Sequence, residues 1–216
     1  MIITRFRQLL SSRGLVGLLR FILSRLLRVT HESIYQKSDN EKQLNSMTTE
    51  LAPGWEIHKI DKKNCEEQDN LTLLESLYHG EVETYINGIK ANSILFAVTD
   101  NKKVIHTSFV QFKSRYKKLI HELHETPLIG NCWTDNKYRG QGLYPKTINL
   151  AAESLFESGY KRALISCAVN NIASIKGIEK AQFSLVHEIK SYILLNKFAL
   201  QVLTKNNLKS LKFIIF

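Results

Sequence analysis

The stretch from Leu128 to Val169 limits the folds open to this chain more than any other part of it. It reads as a strand (Leu128 to Asp135, LIGNCWTD), a glycine turn (Tyr138 to Tyr144), a helix (Pro145 to Ser158) closed by Gly159, and a second strand (Ala163 to Val169, ALISCAV). The second strand carries no charged residue, which predicts burial on both faces. Two such strands joined through a helix are parallel neighbours linked by a right-handed crossover. Ile148, Ala152, Leu155 and Phe156 supply the packing face of the helix. Pro145 falls in its first turn, where a missing N–H costs no hydrogen bond.

Around this unit, Trp55 to Asp61 alternates and predicts a strand, and residues 64–90 have helical spacing with Leu71, Leu74, Leu77 and Tyr78 on one face. Ser93 to Thr99 and Val104 to Phe112 are β-rich runs on either side of Asp100-Asn101-Lys102-Lys103, the makings of a hairpin. Lys113 to Thr126 is a charged stretch. Residues 30–54 are polar and end in Pro53-Gly54, a linker with a short extended piece at Ile34 and Tyr35. The expected organisation is a helix over 1–30, a linker over 31–54 and one domain over 55–216, which suits a chain of 216 residues.

The formal charge of +10 is unevenly spread, because residues 1–31 hold six arginines and no acid. Arg20 and Arg25 interrupt the apolar run from Arg13 to Val29, leaving it short of the roughly 20 residues that span a bilayer and of a secretory signal. At 100° per residue the run sorts into an apolar half and an arginine-bearing half, a basic amphipathic helix. Three readings stay open: a helix on an anionic membrane surface, a helix docked on its own domain or on a second subunit of a homodimer, and a transit peptide. One Phe and no Tyr between Arg13 and Val29 argue against a nucleic-acid partner. Cys65, Cys132 and Cys167 form neither a disulfide framework nor a cysteine metal site, which suits a reducing compartment. The expected location is cytoplasmic, peripheral at the inner face of the membrane.

The turn itself, Arg139-Gly140-Gln141-Gly142-Leu143-Tyr144-Pro145, sets two glycines between a strand and a helix N-terminus, where backbone N–H groups and the helix dipole favour phosphate. A dinucleotide fingerprint would have glycine where Pro145 stands, and Pro145-Lys146-Thr147 follows too short a loop for a Walker motif. The turn resembles the acyl-coenzyme A loop of the GNAT acetyltransferases, Arg/Gln-x-x-Gly-x-Gly/Ala, through Arg139 and Gly142. Downstream, Asn171, Ser174, Glu179-Lys180 and Phe183 are similar to the family's segment after its fifth strand. Tyr144, Ile178 and Gln182 depart from that pattern, standing where Gly or Ala, a proton-donating Tyr, and Gly are usual.

The resemblance implies an α/β (α+β) fold. Its sheet is mixed and mostly antiparallel, with a central, splayed parallel pair and flanking helices, and here an N-terminal amphipathic helix precedes it. It also implies acetyl-CoA as cosubstrate without a metal, held by Trp133, Thr134 and Asp135 at the strand end, by Arg139, Gly140, Gln141, Gly142, Leu143 and Tyr144 in the turn, and by Asn171 and Ser174. Catalytic candidates for deprotonating an amine are Asp135 and, from His121-Glu122-Leu123-His124-Glu125, Glu122 and His124. The implied reaction is transfer of an acetyl group to a small-molecule primary amine. The similarity of the N-terminus to bacterial enzymes of surface-polysaccharide assembly implies an amino-sugar acceptor. A protein or peptide amine and a non-catalytic coenzyme A-binding domain are the alternatives.

Overall fold

The computed structural model describes residues 26–39, 50–78, 82–114, 116–122, 125–195 and 197–215. The chain divides into two units, Ser33–Val186 and a smaller one built from Met1–Glu32 with His187–Phe216. Strands β1 (Leu27–Ser38) and β7 (Ser184–Leu194) run from one unit into the other.

In the larger unit the strand order is β2 (Trp55–Ile60), β3 (Ser93–Asp100), β4 (Lys103–Gln111), β5 (Leu128–Thr134), β6 (Arg162–Ala168) and then β1. β2 to β5 are antiparallel neighbours, and β5 and β6 are the expected parallel pair. Helix α4 (Leu143–Glu157) covers one face, where Ile148, Ala152, Leu155 and Phe156 pack with Phe96, Ile129 and Ile165. Helices α1 (Gln68–Tyr78) and α2 (Val82–Lys90) cover the other through Leu74 and Ile89, against Leu95, Ala97 and Phe109. A short α3 (Tyr116–Leu119) lies in the charged stretch, and α5 (Ile172–Lys180) follows β6. The mixed, mostly antiparallel sheet with flanking helices is the fold class the sequence predicts.

Residues 27–38 correct the sequence reading. Residues 1–25 lie outside the described residues, but Leu27–Val29, expected as the end of a helix, and Thr30–Ser38, expected as linker, are strand β1. Polar composition suggested a linker, yet Ser33, Ile34, Tyr35 and Lys37 are all buried. The short extended piece at Ile34 and Tyr35 is the centre of this strand. Its polarity is accounted for by Lys37, whose ammonium donates to Asn149 Oδ1 on α4 and, at 3.0 Å, to the Ala181 carbonyl at the end of α5. Asn149 in turn donates to Glu153 at 2.9 Å. A lysine in what reads as a linker thus ties one strand to the middle of α4 and the end of α5.

The smaller unit pairs β1, β7, β8 (Phe198–Lys205) and β9 (Leu208–Ile215) in that order, with β7 to β9 antiparallel. No element past Phe183 is read from the motifs. Replacing Lys37 by Met keeps the volume and leaves the Ala181 carbonyl and Asn149 without their donor. The expected cost is about 1–3 kcal/mol in urea unfolding, and an unchanged midpoint would show that the ammonium contributes nothing.

Candidate active site

β5 and β6 stay in register only at Leu128↔Leu164 and Ile129↔Ile165 and part beyond. A cleft of about 560 Å³ opens where they diverge, between the end of β5 (Cys132, Trp133, Thr134), the glycine turn and the start of α5 (Asn171, Ser174, Gly177). Against β4 the pairing of β5 slips between Thr107 and Phe109, with Asn131 at φ +48°, a bulge that re-aims the last residues of β5.

Gly140 and Gly142 have φ of +78° and +80°, the left-handed region that a side chain makes costly. Gly142 is the N-cap of α4 and offers no side-chain cap, so the first N–H groups of the helix have no partner within it. A Cβ at Gly140 or Gly142 would meet nothing within 4 Å, so the space over the turn is open. Open backbone amides at a helix N-terminus are what an anionic phosphate requires.

The turn is braced from behind. Tyr138 donates its hydroxyl to Asp100 at 2.8 Å, Arg139 Nε donates to the Thr134 carbonyl at 3.2 Å, and Gln141 donates to the Lys137 carbonyl at 3.1 Å. Asp135 belongs to this scaffold. Its carboxylate pairs with Lys103 at 2.8 Å and accepts from the Lys137 N–H at 3.0 Å. The Lys103 hydrogen bond above all holds its carboxyl below the usual range. That corrects its reading as a base, because a carboxylate committed to a lysine and a cap is a poor proton acceptor.

Glu122 is likewise corrected. It forms a two-pronged ion pair with Arg162 at 2.7 and 3.3 Å, beside Thr126, at the opposite end of β5 from the cleft. The length of the strand puts it about 20 Å away. His124 lies outside the described residues. Asn171 and Ser174 do line the cleft, but the Asn171 side chain caps α5 by accepting the Ser174 N–H at 3.2 Å. Leu143, expected as a cofactor contact, lines the cleft, but its side chain is buried with Val98 and Ile105.

Tyr144 occupies the third position of the turn and faces the cleft. Burial holds the phenol far above its ordinary range, so it stays neutral. Its ring lies on Gly177 of α5, where an added Cβ would sit 2.8 Å from Cε1 and closer still to Cδ1.

The sequence reading missed His106, which is fully buried on β4. Its Nδ1 lies 2.7 Å from Thr134 Oγ1 and its Nε2 lies 2.9 Å from Ser108 Oγ, and Ser108 donates to Cys132 Sγ at 3.2 Å. With the Ser108 proton directed at Cys132, Ser108 accepts from Nε2–H. The neutral ring then accepts the Thr134 proton at Nδ1, and the lone pairs of Thr134 are left for a donor in the cleft. Burial pushes the imidazole down to about 4 and the Cys132 thiol up to about 11, so both stay neutral. The signal was a lone His inside the apolar run Val104-Ile105-His106.

Neither a protein-family profile nor a curated protein matches the chain. Solved structures do. An acetyltransferase of the GNAT family from Colwellia psychrerythraea is similar at 16% identity and a TM-score of 0.52, over 83% of this chain and 62% of its own. A Drosophila protein is similar at 9% identity and a TM-score of 0.54, over 84% of this chain and 56% of its own. This chain therefore spans less than two thirds of either neighbour. The fold, with its parting parallel strands and glycine turn, is that of the GNAT acetyltransferases.

Two outcomes follow from the geometry. Gly177→Ala alone is expected to destabilise the protein by about 1–3 kcal/mol, through overpacking against Tyr144. In a Tyr144→Ala background the same change should become neutral or stabilising by up to about 1 kcal/mol, the helix preference for alanine. Equal effects in both backgrounds would refute the contact. For His106 the folded pKa lies below its usual 6.5, so the unfolded chain takes up the proton first and stability falls as pH drops from 6.5 toward 4. Urea midpoints at pH 7 and 4.5 should show a loss of about 2–3 kcal/mol that His106→Asn largely removes. Identical losses in the two proteins would refute the assignment.

Proposed function

We propose that this chain is an acetyl-CoA-dependent N-acetyltransferase whose acceptor is a small-molecule primary amine. One juxtaposition carries the reading: uncapped amides at a left-handed glycine turn open onto the cleft left by the parting of β5 and β6. The residues fit the cosubstrate. The N–H groups of Gly140 to Tyr144 would hold its pyrophosphate, the free backbone at the end of β5 its amide-bearing arm, and Ser174 and the amide nitrogen of Asn171 would lie alongside. When bound, it supplies the acetyl group as a thioester open to direct attack by an amine.

Thr134 is the residue best oriented toward that amine. Its proton is engaged by His106, so its oxygen accepts an N–H and aligns the nitrogen lone pair. The neutral His106 fixes this polarity across the working pH range. No charged base of this chain's own is assigned, since Asp135 and Glu122 are committed elsewhere.

A second hollow of about 340 Å³, lined by Leu77, Tyr85, Thr107, Phe109, Asn131 and Trp133, shares Trp133 with the cleft. Aromatic faces beside polar groups suit a pyranose ring. We therefore take the acceptor to be an amino sugar, in keeping with the resemblance of the Arg/Leu-rich N-terminus to enzymes of surface-polysaccharide assembly. Residues 1–30 would hold the protein at the cytoplasmic face of an anionic membrane. A non-catalytic coenzyme A-binding domain is the second reading. Ile178 favours it, being wholly buried in the core where the family's tyrosine would face the cleft.

Thiol release from acetyl-CoA, measured across a panel of amino sugars and other amines, separates the two. Acceptor-dependent release with the parent protein, and at least tenfold weaker cosubstrate binding by Gly142→Trp with the fold retained, are the expected results. Tight binding without acceptor-dependent thiol would establish the non-catalytic reading, and unaltered binding by Gly142→Trp would remove the turn from the site.

A further inference from the structure

The smaller unit presents an apolar sheet face that the cleft does not use. The registers of β7, β8 and β9 place Tyr192, Leu200 and Phe213 in one row, flanked by Phe198 and Ile215 on one side and by Val202 and Leu211 on the other. Leu211, Phe213 and Ile215 are 72%, 67% and 68% exposed. The opposite face of β7 and β8 is buried, through Ile189, Ile193, Ala199 and Gln201. β9 is exposed on both faces, and the face that carries this row is the one open across all three strands.

Charge identifies the occupant. The smaller unit holds eleven Lys and Arg against two Glu, and the larger unit nineteen against eighteen, so +9 of the net +10 lies in the smaller one. Lys190 sits over the Tyr192 ring at 5.5 Å, and Lys209 ends the exposed face next to the Val202–Leu211 pair. A second copy would bring +9 against +9. An anionic bilayer carries the opposite charge, needs no matching protein surface, attracts the lysines electrostatically and accepts Leu and Phe at headgroup depth.

We propose that the exposed face of β7 to β9 docks on anionic lipid, adding a second contact to the membrane reading of residues 1–30 and standing independently of the acetyl-transfer reading. Co-sedimentation of the full chain with phosphatidylglycerol/phosphatidylcholine vesicles at about 0.1 M salt, where headgroup attraction persists over ~10 Å, tests it. Binding is expected to need phosphatidylglycerol. The Leu211→Asp/Phe213→Asp variant, and separately Lys190→Glu/Lys209→Glu, should each lose at least tenfold in affinity while their thermal unfolding matches the parent. Undiminished vesicle binding by both variants overturns the proposal. If binding is lost only in Arg13→Glu/Arg20→Glu/Arg25→Glu, the N-terminal segment alone is the contact and the sheet is not. Light scattering supplies the other arm: a parent dimer split by Leu211→Asp/Phe213→Asp, with vesicle binding intact, would assign the face to a second copy.

Discussion

The parting of β5 and β6 after two paired residues is the constraint from which the site follows. Two parallel strands that stayed in register would satisfy each other's backbone groups and leave nothing for a ligand. Once they separate, the end of β5 is free on that side, and α4 begins at the mouth of the gap with its first amides unpaired. The helix cannot shift to close the gap. Its apolar face is fixed on Phe96, Ile129 and Ile165, and Lys37 holds it through Asn149 while reaching the carbonyl that ends α5. The opening is thus sustained by the packing of α4 on the sheet and by the Lys37 bonds.

Within that frame, the departure at Tyr144 is matched by a residue on the facing helix. A ring at the third turn position needs room that a glycine or alanine would not, and α5 provides it at Gly177, where no side chain fits beneath the ring. The ring thereby packs α4 directly on α5 beside the cleft. The substitution moves bulk from the backbone cradle to its wall and leaves Gly140 and Gly142 in the left-handed conformation the turn requires.

The strand-turn-helix-strand unit was legible because burial on both faces and the glycine spacing leave strong marks in a single sequence. β1 was not, because its buried residues include Ser33 and Lys37, and a lysine in a core is intelligible only once its partners, over a hundred residues away, are known. β7 to β9 escaped for a related reason: the row Tyr192, Leu200 and Phe213 faces outward, so apolar positions do not mark an interior there. In the site, the glycine turn was read from local chemistry, and it lies between β5 and α4 with Gly140 and Gly142 in the left-handed region. The acid-base residues were not, since Asp135 and Glu122 looked available and their cations, Lys103 and Arg162, lie 32 and 40 positions away.

That commitment of the carboxylates bears on how such a cleft handles a proton. An ammonium near a free carboxylate is stabilised in its charged form and becomes a worse nucleophile. Here the Thr134 hydroxyl, at the cleft wall, is backed by an imidazole that burial keeps uncharged. A neutral acceptor aligns an amine without raising its pKa by ion pairing, so the attacking nitrogen has lost its proton to solvent before it is engaged. The arrangement favours acceptors whose amines are already weakly basic. Amino sugars meet that condition better than lysine side chains do, because the neighbouring ring oxygen substituents withdraw electron density from the nitrogen. On the proposed reading, the neutral His106 and the aromatic walls around Trp133 both suit an amino sugar.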